Sequence, residues 1–187
     1  MRWIPFLILA YLVVLVQTTV GRFLVIRSAG LGNIGPDLAA LVAAFVALHV
    51  RAWPDAMLAA WVLGVAVDLT TAGGVGSATV LGPMSVAYAL AAGLLFRVRE
   101  AFFRERAMTQ AMLAMAFCLM AHGLWVTSQA LLGAGEMAWS TYGRTLLQAV
   151  GVSGYTALLM PLVHFGLVKC RRWFLASSAG RRGRAGR

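Results

Sequence analysis

Charged residues are scarce in this chain of 187 residues, and cysteine is nearly absent. Asp, Glu, Lys and Arg make up 12% of the sequence, where a soluble protein carries about a quarter. Two cysteines are too few for a disulfide scaffold, and a hydrophobic fraction of 61% excludes both intrinsic disorder and a collagen-like repeat. The class that remains is a polytopic integral membrane protein.

Long apolar runs fill the space that charged residues leave. Each membrane span needs about 20 residues, so six spans need about 120 and leave no room for a soluble domain. We therefore predict an all-α membrane domain over residues 1–170 with six transmembrane helices. The predicted spans are 3–20, 36–52, 54–72, 78–96, 107–133 and 145–168.

Two proline-aspartate pairs mark helix starts. Pro36-Asp37 opens the second span and Pro54-Asp55 opens the third. A proline in the first turn lacks a donor that would go unused, and the carboxylate faces the positive end of the helix dipole. The first apolar run has no small-residue cleavage site after it, so we expect an anchor and not a removed signal peptide.

The basic residues predict the topology. With the amino terminus in the cytoplasm, three of the 16 Lys and Arg lie outside (Arg22, Arg27 and Arg144) and the others lie inside. This bias follows the positive-inside rule. It places both termini in the cytoplasm and makes the number of spans even.

The basic tail over residues 171–187 is predicted to be disordered. Its glycine-arginine run 181–187 is compatible with nucleic acid or with anionic lipid. Because no aromatic residues interleave the run, and each basic residue near an anionic leaflet is worth about 1 kcal/mol, we expect anionic lipids at the tail and at the inner loop 97–106, and no nucleic acid.

Polar residues at membrane depth are the candidate functional residues, because such groups are costly in hydrocarbon. At 1.5 Å per residue, Gln17, Asp68 and His122 each lie about 20 Å from the inner end of their helices. We predict that the Asp68 carboxylate pairs with His122. Gln129 and Gln148 are expected in the same outer layer.

Two interpretations of this polar layer remain open. It could line a cavity or partner groove that opens to the outer face. Alternatively, it could be a set of interhelical hydrogen bonds that only fix the packing, each worth about 0.6 kcal/mol.

Catalytic and metal-binding patterns are missing from the sequence. No histidine has another His, Cys or carboxylate at i+3 or i+4, and no serine has a base at hand. Cys118 and Cys170 belong to different membrane depths and should remain thiols, while His164 should be a core or lining residue. We predict no catalytic residues, no metal and no cofactor, and a protein that is not an enzyme.

Several motifs, in order, make the chain resemble the bacterial rod shape-determining MreD family. They are Gln17-Thr18-Thr19 at the end of the first span, Pro36-Asp37-Leu38, Gly64-x-x-x-Asp68-Leu69, Leu81-Gly82, the charged loop 97–106 and Pro161-Leu162. The family residues carried over are Gln17, Asp37, Gly64, Asp68 and Gly82. The chain departs from the family at Gly73-Gly74, where a polar or proline-bearing turn is more usual, and in its long tail.

The resemblance implies a non-enzymatic, multi-pass subunit of the cell-elongation machinery in the bacterial cytoplasmic (inner) membrane. Such a subunit binds MreC and helps couple the MreB cytoskeleton, indirectly, to peptidoglycan synthesis by RodA and the elongation penicillin-binding transpeptidase. It also implies a fold similar to the substrate-binding subunits of energy-coupling-factor transporters. A vitamin-binding transporter subunit of that type is therefore the alternative function.

Overall fold

The structure is a computed structural model that describes residues 1–28, 32–71, 82–101, 107–132 and 139–174. This part of the chain is helical, as predicted, and contains six α-helices. They are α1 (Trp3–Thr19), α2 (Leu38–His49), α3 (Trp53–Thr71), α4 (Pro83–Val98), α5 (Ala107–Leu132) and α6 (Trp139–Phe174).

A short hairpin connects α1 to α2. After a 3-10 turn at Gly21–Leu24, strand β1 (Ile26–Ser28) pairs antiparallel with strand β2 (Gly32–Ile34). Its second strand packs on α6, where the Gln148 side-chain amide donates to the Asn33 carbonyl at 2.8 Å. The hairpin therefore covers the end of the bundle where α1 ends and α2 begins.

Helix α2 is the centre of the bundle. Its residues 39–48 are all buried, and the helix contacts each of the other five. A helix that is apolar on all sides has no face suited to water, so it is stable only where neighbours surround it. At 12 residues it is about 18 Å long, so both of its ends lie among the surrounding helices.

Among the described residues, three helices are long and apolar enough to cross a membrane. These segments are Trp53–Thr70, Met108–Leu132 and Thr141–Cys170. The apolar helices α1, α2 and α4 are shorter. This composition is compatible with a membrane protein.

The helix bounds differ from the predicted span bounds in several places. Helix α4 begins at Pro83, with the left-handed Gly82 (φ 110°) as its N-cap, whereas the predicted span began at residue 78, outside the described residues. Helix α2 ends at His49 and not at residue 52. Helix α6 extends beyond 145–168 at both ends and runs through Pro161. Residues 171–174, predicted to be disordered, therefore belong to a helix, while Gly73-Gly74, Leu81 and 175–187 lie outside the described residues.

Candidate functional site

The side chain of Asp37 caps the first turn of α2. Asp37 is the N-cap residue, and its Oδ1 accepts a hydrogen bond from the Ala40 amide at 3.0 Å. This satisfies one of the amides that a helix start leaves without an intrahelical partner. The carboxylate also faces the positive end of the α2 dipole. The Pro36-Asp37 pair thus marks the start of α2 as the sequence predicted, but Pro36 precedes the N-cap and does not lie in the first turn.

The second oxygen of Asp37 joins α2 to α4 and α5. Asp37 Oδ2 accepts a hydrogen bond from the Tyr88 hydroxyl of α4 and lies 3.2 Å from His122 Nε2 of α5. His122 Nδ1 lies 2.9 Å from the Cys118 carbonyl oxygen. Asp37 is 5% exposed, Tyr88 0% and His122 8%, so these contacts form out of reach of solvent.

Two further side chains complete the start of α2. The Asp37 amide donates to Thr156 Oγ1 of α6 at 3.0 Å, and the Ala39 amide donates to Gln17 Oε1 of α1 at 3.0 Å. Four helices therefore each supply one polar group to the first turn of α2. We call this cluster the polar centre, defined by Gln17, Asp37, Tyr88, His122 and Thr156.

Asp68 belongs to a separate junction between α3 and α4. Its Oδ2 accepts a hydrogen bond from the Ser85 amide in the first turn of α4 at 3.0 Å. The junction is tight: a Cβ added at Gly64 would lie 2.5 Å from Ser85 Cα and 2.8 Å from the Met84 carbonyl oxygen. Gly64 and Asp68 stand one turn apart on α3, so the glycine brings α4 close enough for the carboxylate to cap it.

The predicted pairing of Asp68 with His122 is wrong. Both ring nitrogens of His122 already face oxygens of other residues, Asp37 and Cys118. The rise per residue placed Asp68 and His122 at the same depth along their helices. Equal depth does not determine which side chains of neighbouring helices face each other. Asp37 was predicted as a helix start and a motif position but not as the partner of His122, and it is buried at the N-cap of α2.

The other predicted polar residues lie apart from the polar centre. Gln148 holds the hairpin, eight residues before Thr156 on α6, or about 12 Å along the helix axis. Gln129 is half-buried, seven residues beyond His122 on α5. His164 is half-buried against the rings of Phe45 and His49, with centroids 5.5 and 5.9 Å away. The single layer expected from the sequence is therefore several separate contacts.

Arg99 caps the carboxyl-terminal end of α2, a role that the sequence did not reveal. Its Nη1 donates to the carbonyl oxygens of Ala47 at 3.0 Å and Leu48 at 3.4 Å, and to that of Val50. Its guanidinium also stacks on the Phe96 ring at 3.6 Å, and the residue is 6% exposed. We expected Arg99 to face lipid in the inner loop. It is instead a buried cation at the negative end of the α2 dipole.

We expect Arg99→Met to destabilise the bundle by about 2 kcal/mol, because hydrogen bonds to a charged group contribute about 1.5–3 kcal/mol each. Methionine preserves much of the apolar stem, so the loss reports on the guanidinium. The measurement is the apparent melting temperature in detergent. The matched control is Arg97→Met, since Arg97 is exposed and contacts the Trp53 ring at 5.7 Å. Equal melting temperatures for the two variants would contradict this role of Arg99.

Two cavities lie between α4 and α5. The cavity along the amino-terminal half of α4, of about 470 Å³, extends from Gly82 to Leu90, and the cavity along its carboxyl-terminal half, of about 360 Å³, extends from Ala91 to Val98. Of the predicted site residues and motif positions, Gly82 lines the first of these cavities. The residues of the polar centre are absent from both linings. The polar centre and these cavities are therefore different features of the bundle.

The polar centre fixes helices in place, since its polar groups bond to one another. Within the described ranges, no group of three or more His, Cys, Asp and Glu is placed to hold a metal ion. Cys118 is buried and Cys170 exposed, and both are free thiols. The arrangement is that of an interhelical hydrogen-bond network.

No protein-family model, curated protein or solved structure matches this chain. The resemblance to the MreD family remains a prediction from the sequence motifs.

Proposed function

We propose that this chain is a non-enzymatic subunit of the bacterial cell-elongation machinery, of the MreD type, in the inner membrane. In this role it binds MreC and helps couple MreB to peptidoglycan synthesis by RodA and the penicillin-binding transpeptidase. The observation that carries the proposal is the structural role of the five motif positions. Four of them lie at contacts between helices, and Gly82 is the N-cap of α4.

The motif residues lie at helix starts and at contacts between helices. Gln17 and Asp37 close the first turn of α2, while Gly64 and Asp68 form the contact between α3 and α4. Gly82 is the left-handed residue that starts α4. Residues that hold helices together are expected to recur among chains with the same fold. The positions of the five motif residues therefore support the resemblance on which the proposal rests.

A scaffold role fits the polar centre better than a solute-binding role. A vitamin-type ligand needs polar groups that are open to it, because a pocket fixes a ligand through a few placed donors and acceptors. Here Asp37 and His122 are 5% and 8% exposed and contact each other. Their hydrogen-bonding capacity holds helices together, which favours an assembly subunit over the transporter alternative.

The proposed topology has six spans with both termini in the cytoplasm. It is supported by the excess of basic residues on one side of the chain. It is also supported by the start of α1, where the Met1 amino group contacts the Asp55 carboxylate at the start of α3 at 3.1 Å. Two helices that start side by side run in the same direction, as an alternating six-span order requires. Arg97 and Lys169 are exposed at the cytoplasmic ends of α4 and α6, where we propose that anionic lipids bind.

The proposal is tested by pull-down from native membranes of a rod-shaped host. We expect the tagged chain to recover MreC and its depletion to turn rods into spheres. Asp68→Ala should reduce MreC recovery and disturb rod shape, because it removes the cap of α4, whereas Asp55→Ala is the matched control at a partly exposed ion pair with the Met1 amino group. Recovery of an ATPase module in place of MreC would favour the transporter alternative. Unchanged shape and MreC recovery in Asp68→Ala would overturn the role of this residue.

A further inference from the structure

The two ring nitrogens of His122 each face an oxygen atom. Nδ1 lies 2.9 Å from the Cys118 carbonyl oxygen, and Nε2 lies 3.2 Å from Asp37 Oδ2. A carbonyl oxygen has no proton to give, so Nδ1 carries the proton of the first contact. Because a neutral imidazole has a single N–H, its Nε2 would then present a lone pair to the carboxylate.

The carboxylate of Asp37 is placed as an acceptor. Its Oδ1 accepts from the Ala40 amide, and its Oδ2 accepts from the Tyr88 hydroxyl. The positive end of the α2 dipole also favours the ionised carboxylate. A hydrogen bond between Oδ2 and His122 Nε2 needs a proton between the two atoms, and these partners of Asp37 place that proton on the ring. The geometry is that of an imidazolium next to a carboxylate.

Reorientation of the His122 ring does not remove the need for this proton. A flip by 180° would put carbon atoms where the two nitrogens lie, and both contacts would be lost. Water is no substitute, since His122 is 8% exposed and Asp37 5%. If the ring loses one proton, one of its nitrogens therefore faces an oxygen without a hydrogen bond, and a buried polar group left in this way is costly.

The groups around this pair are neutral or acidic. They are Gln17 of α1, Asp68 of α3, Tyr88 of α4, Thr156 of α6 and, on α5 itself, the Cys118 thiol. The cation Arg99 bonds to the other end of α2, about 18 Å away along the helix axis. Among the described residues, the proton on His122 is therefore the positive charge that balances Asp37. Its loss would leave a net negative charge in the interior, where charge is costly.

We propose that the polar centre is a proton-sensitive lock: His122 and Asp37 hold one exchangeable proton, and its release destabilises the junction of α2 with α4 and α5. The bundle is stable while His122 is an imidazolium and is weakened when the ring becomes neutral. Because α2 contacts each of the other five helices, a change at its first turn affects the packing of the whole bundle. This property belongs to the bundle itself and is independent of the proposed partner MreC.

The first experiment reads the protonation state of His122 directly. The full chain, with ¹⁵N-labelled histidine, is purified in detergent and studied by NMR at about pH 7.5, where an exposed imidazole is mostly neutral. The His122 signals are identified by their loss in the His122→Gln variant. We expect both ring nitrogens of His122 to carry a proton. A ring with a proton on Nδ1 alone or on Nε2 alone would overturn the proposal.

The second experiment measures how the stability of the unmodified chain depends on pH. Above about pH 6.5 an exposed imidazole loses its proton, so the folded bundle then holds one proton more than the unfolded chain. Stability must therefore fall as the pH rises, and the folding equilibrium constant decreases by up to about tenfold per pH unit for one proton. We expect the melting temperature in detergent to fall steadily between about pH 6.5 and pH 9.

Two variants assign this pH dependence to His122. The amide of His122→Gln can donate to Asp37 but does not titrate, so its melting temperature should be nearly constant over the same range. His164→Gln, at a half-buried histidine of α6, is the matched control and should retain the fall seen in the unmodified chain. Equal pH profiles for the unmodified chain and His122→Gln would overturn the proposal. If His122→Gln does not fold, its place is taken by the unmodified chain, whose melting temperature must still fall with pH.

Discussion

Replacement of Asp37 by alanine is expected to destabilise the bundle by about 3 kcal/mol and to lower its melting temperature more than any surface substitution. The change removes the N-cap of α2, the acceptor of the Tyr88 hydroxyl and the contact with His122. All three partners remain in the interior, where they cannot find water. The measurement is the melting temperature of purified protein in detergent.

The expected destabilisation by Asp37→Ala lies between two limits. Bonds between transmembrane helices contribute about 0.6 kcal/mol each, so the two contacts with Tyr88 and His122 would account for about 1 kcal/mol, and loss of the N-cap adds about 1 kcal/mol. Removal of one partner from a buried ion pair costs about 3–5 kcal/mol, because the other partner stays buried and unpaired. Asp37 lies between these limits, since its N-cap bond is to a neutral amide and its contact with His122 is deeply buried.

Two variants separate the causes of this loss. Asp37→Asn retains a good N-cap residue and an acceptor of similar shape, so we expect about half of the destabilisation. Asp55→Ala makes the same chemical deletion at a residue that is 28% exposed, where an ion pair contributes about 0–1 kcal/mol. If the Asp37→Ala and Asp55→Ala variants have the same melting temperature, the polar centre does not stabilise the bundle.

Replacement of Gly64 by alanine has the second-largest expected effect on the bundle. The added methyl group would meet the backbone of α4 at Ser85 Cα and at the Met84 carbonyl oxygen, 2.5 and 2.8 Å away. A backbone cannot rotate aside as a side chain can, so α3 and α4 must separate. Overpacking of this kind costs about 1–3 kcal/mol. The separation would also lengthen the hydrogen bond from the Ser85 amide to Asp68.

The control for Gly64 comes from glycines that face open space. A Cβ added at Gly123 of α5 or Gly154 of α6 would meet nothing within 4 Å. Because alanine is about 1 kcal/mol better than glycine inside a helix, we expect Gly123→Ala and Gly154→Ala to melt at or above the temperature of the unmodified chain. A stable Gly64→Ala would show that α3 and α4 do not approach as closely as the structure places them.

The sequence predicted correctly those features that depend on residues within a single helix. All six apolar runs contain a helix, and Pro36-Asp37 starts α2. The estimated depth along each helix also placed Gln17 and His122 at the same level, and both side chains belong to the polar centre. It failed for Asp68 because position along a helix carries no information about direction around the bundle.

Tyr88, Thr156 and Arg99 show what the sequence did not reveal. Tyr88 and Thr156 are ordinary residues of apolar runs, and they matter because Asp37 of another helix faces them. Arg99 looked like a cytoplasmic charge of a basic loop, yet it bonds to the last carbonyls of α2. No spacing rule could have identified these residues, since their partners lie about 50 to 120 positions away in the chain.

The sequence by itself determined the helical class, the apolar runs and the way that α2 begins, because these depend on hydrophobicity and on groups within one turn of each other. The tertiary structure alone decided that α2 would be the buried axis, that His122 would contact Asp37, and that α4 and α5 would leave two cavities between them. The reason is geometrical. The rise per residue sets how far along the bundle a side chain lies, whereas its neighbours depend on how six helices are ordered and rotated, and that is decided by packing.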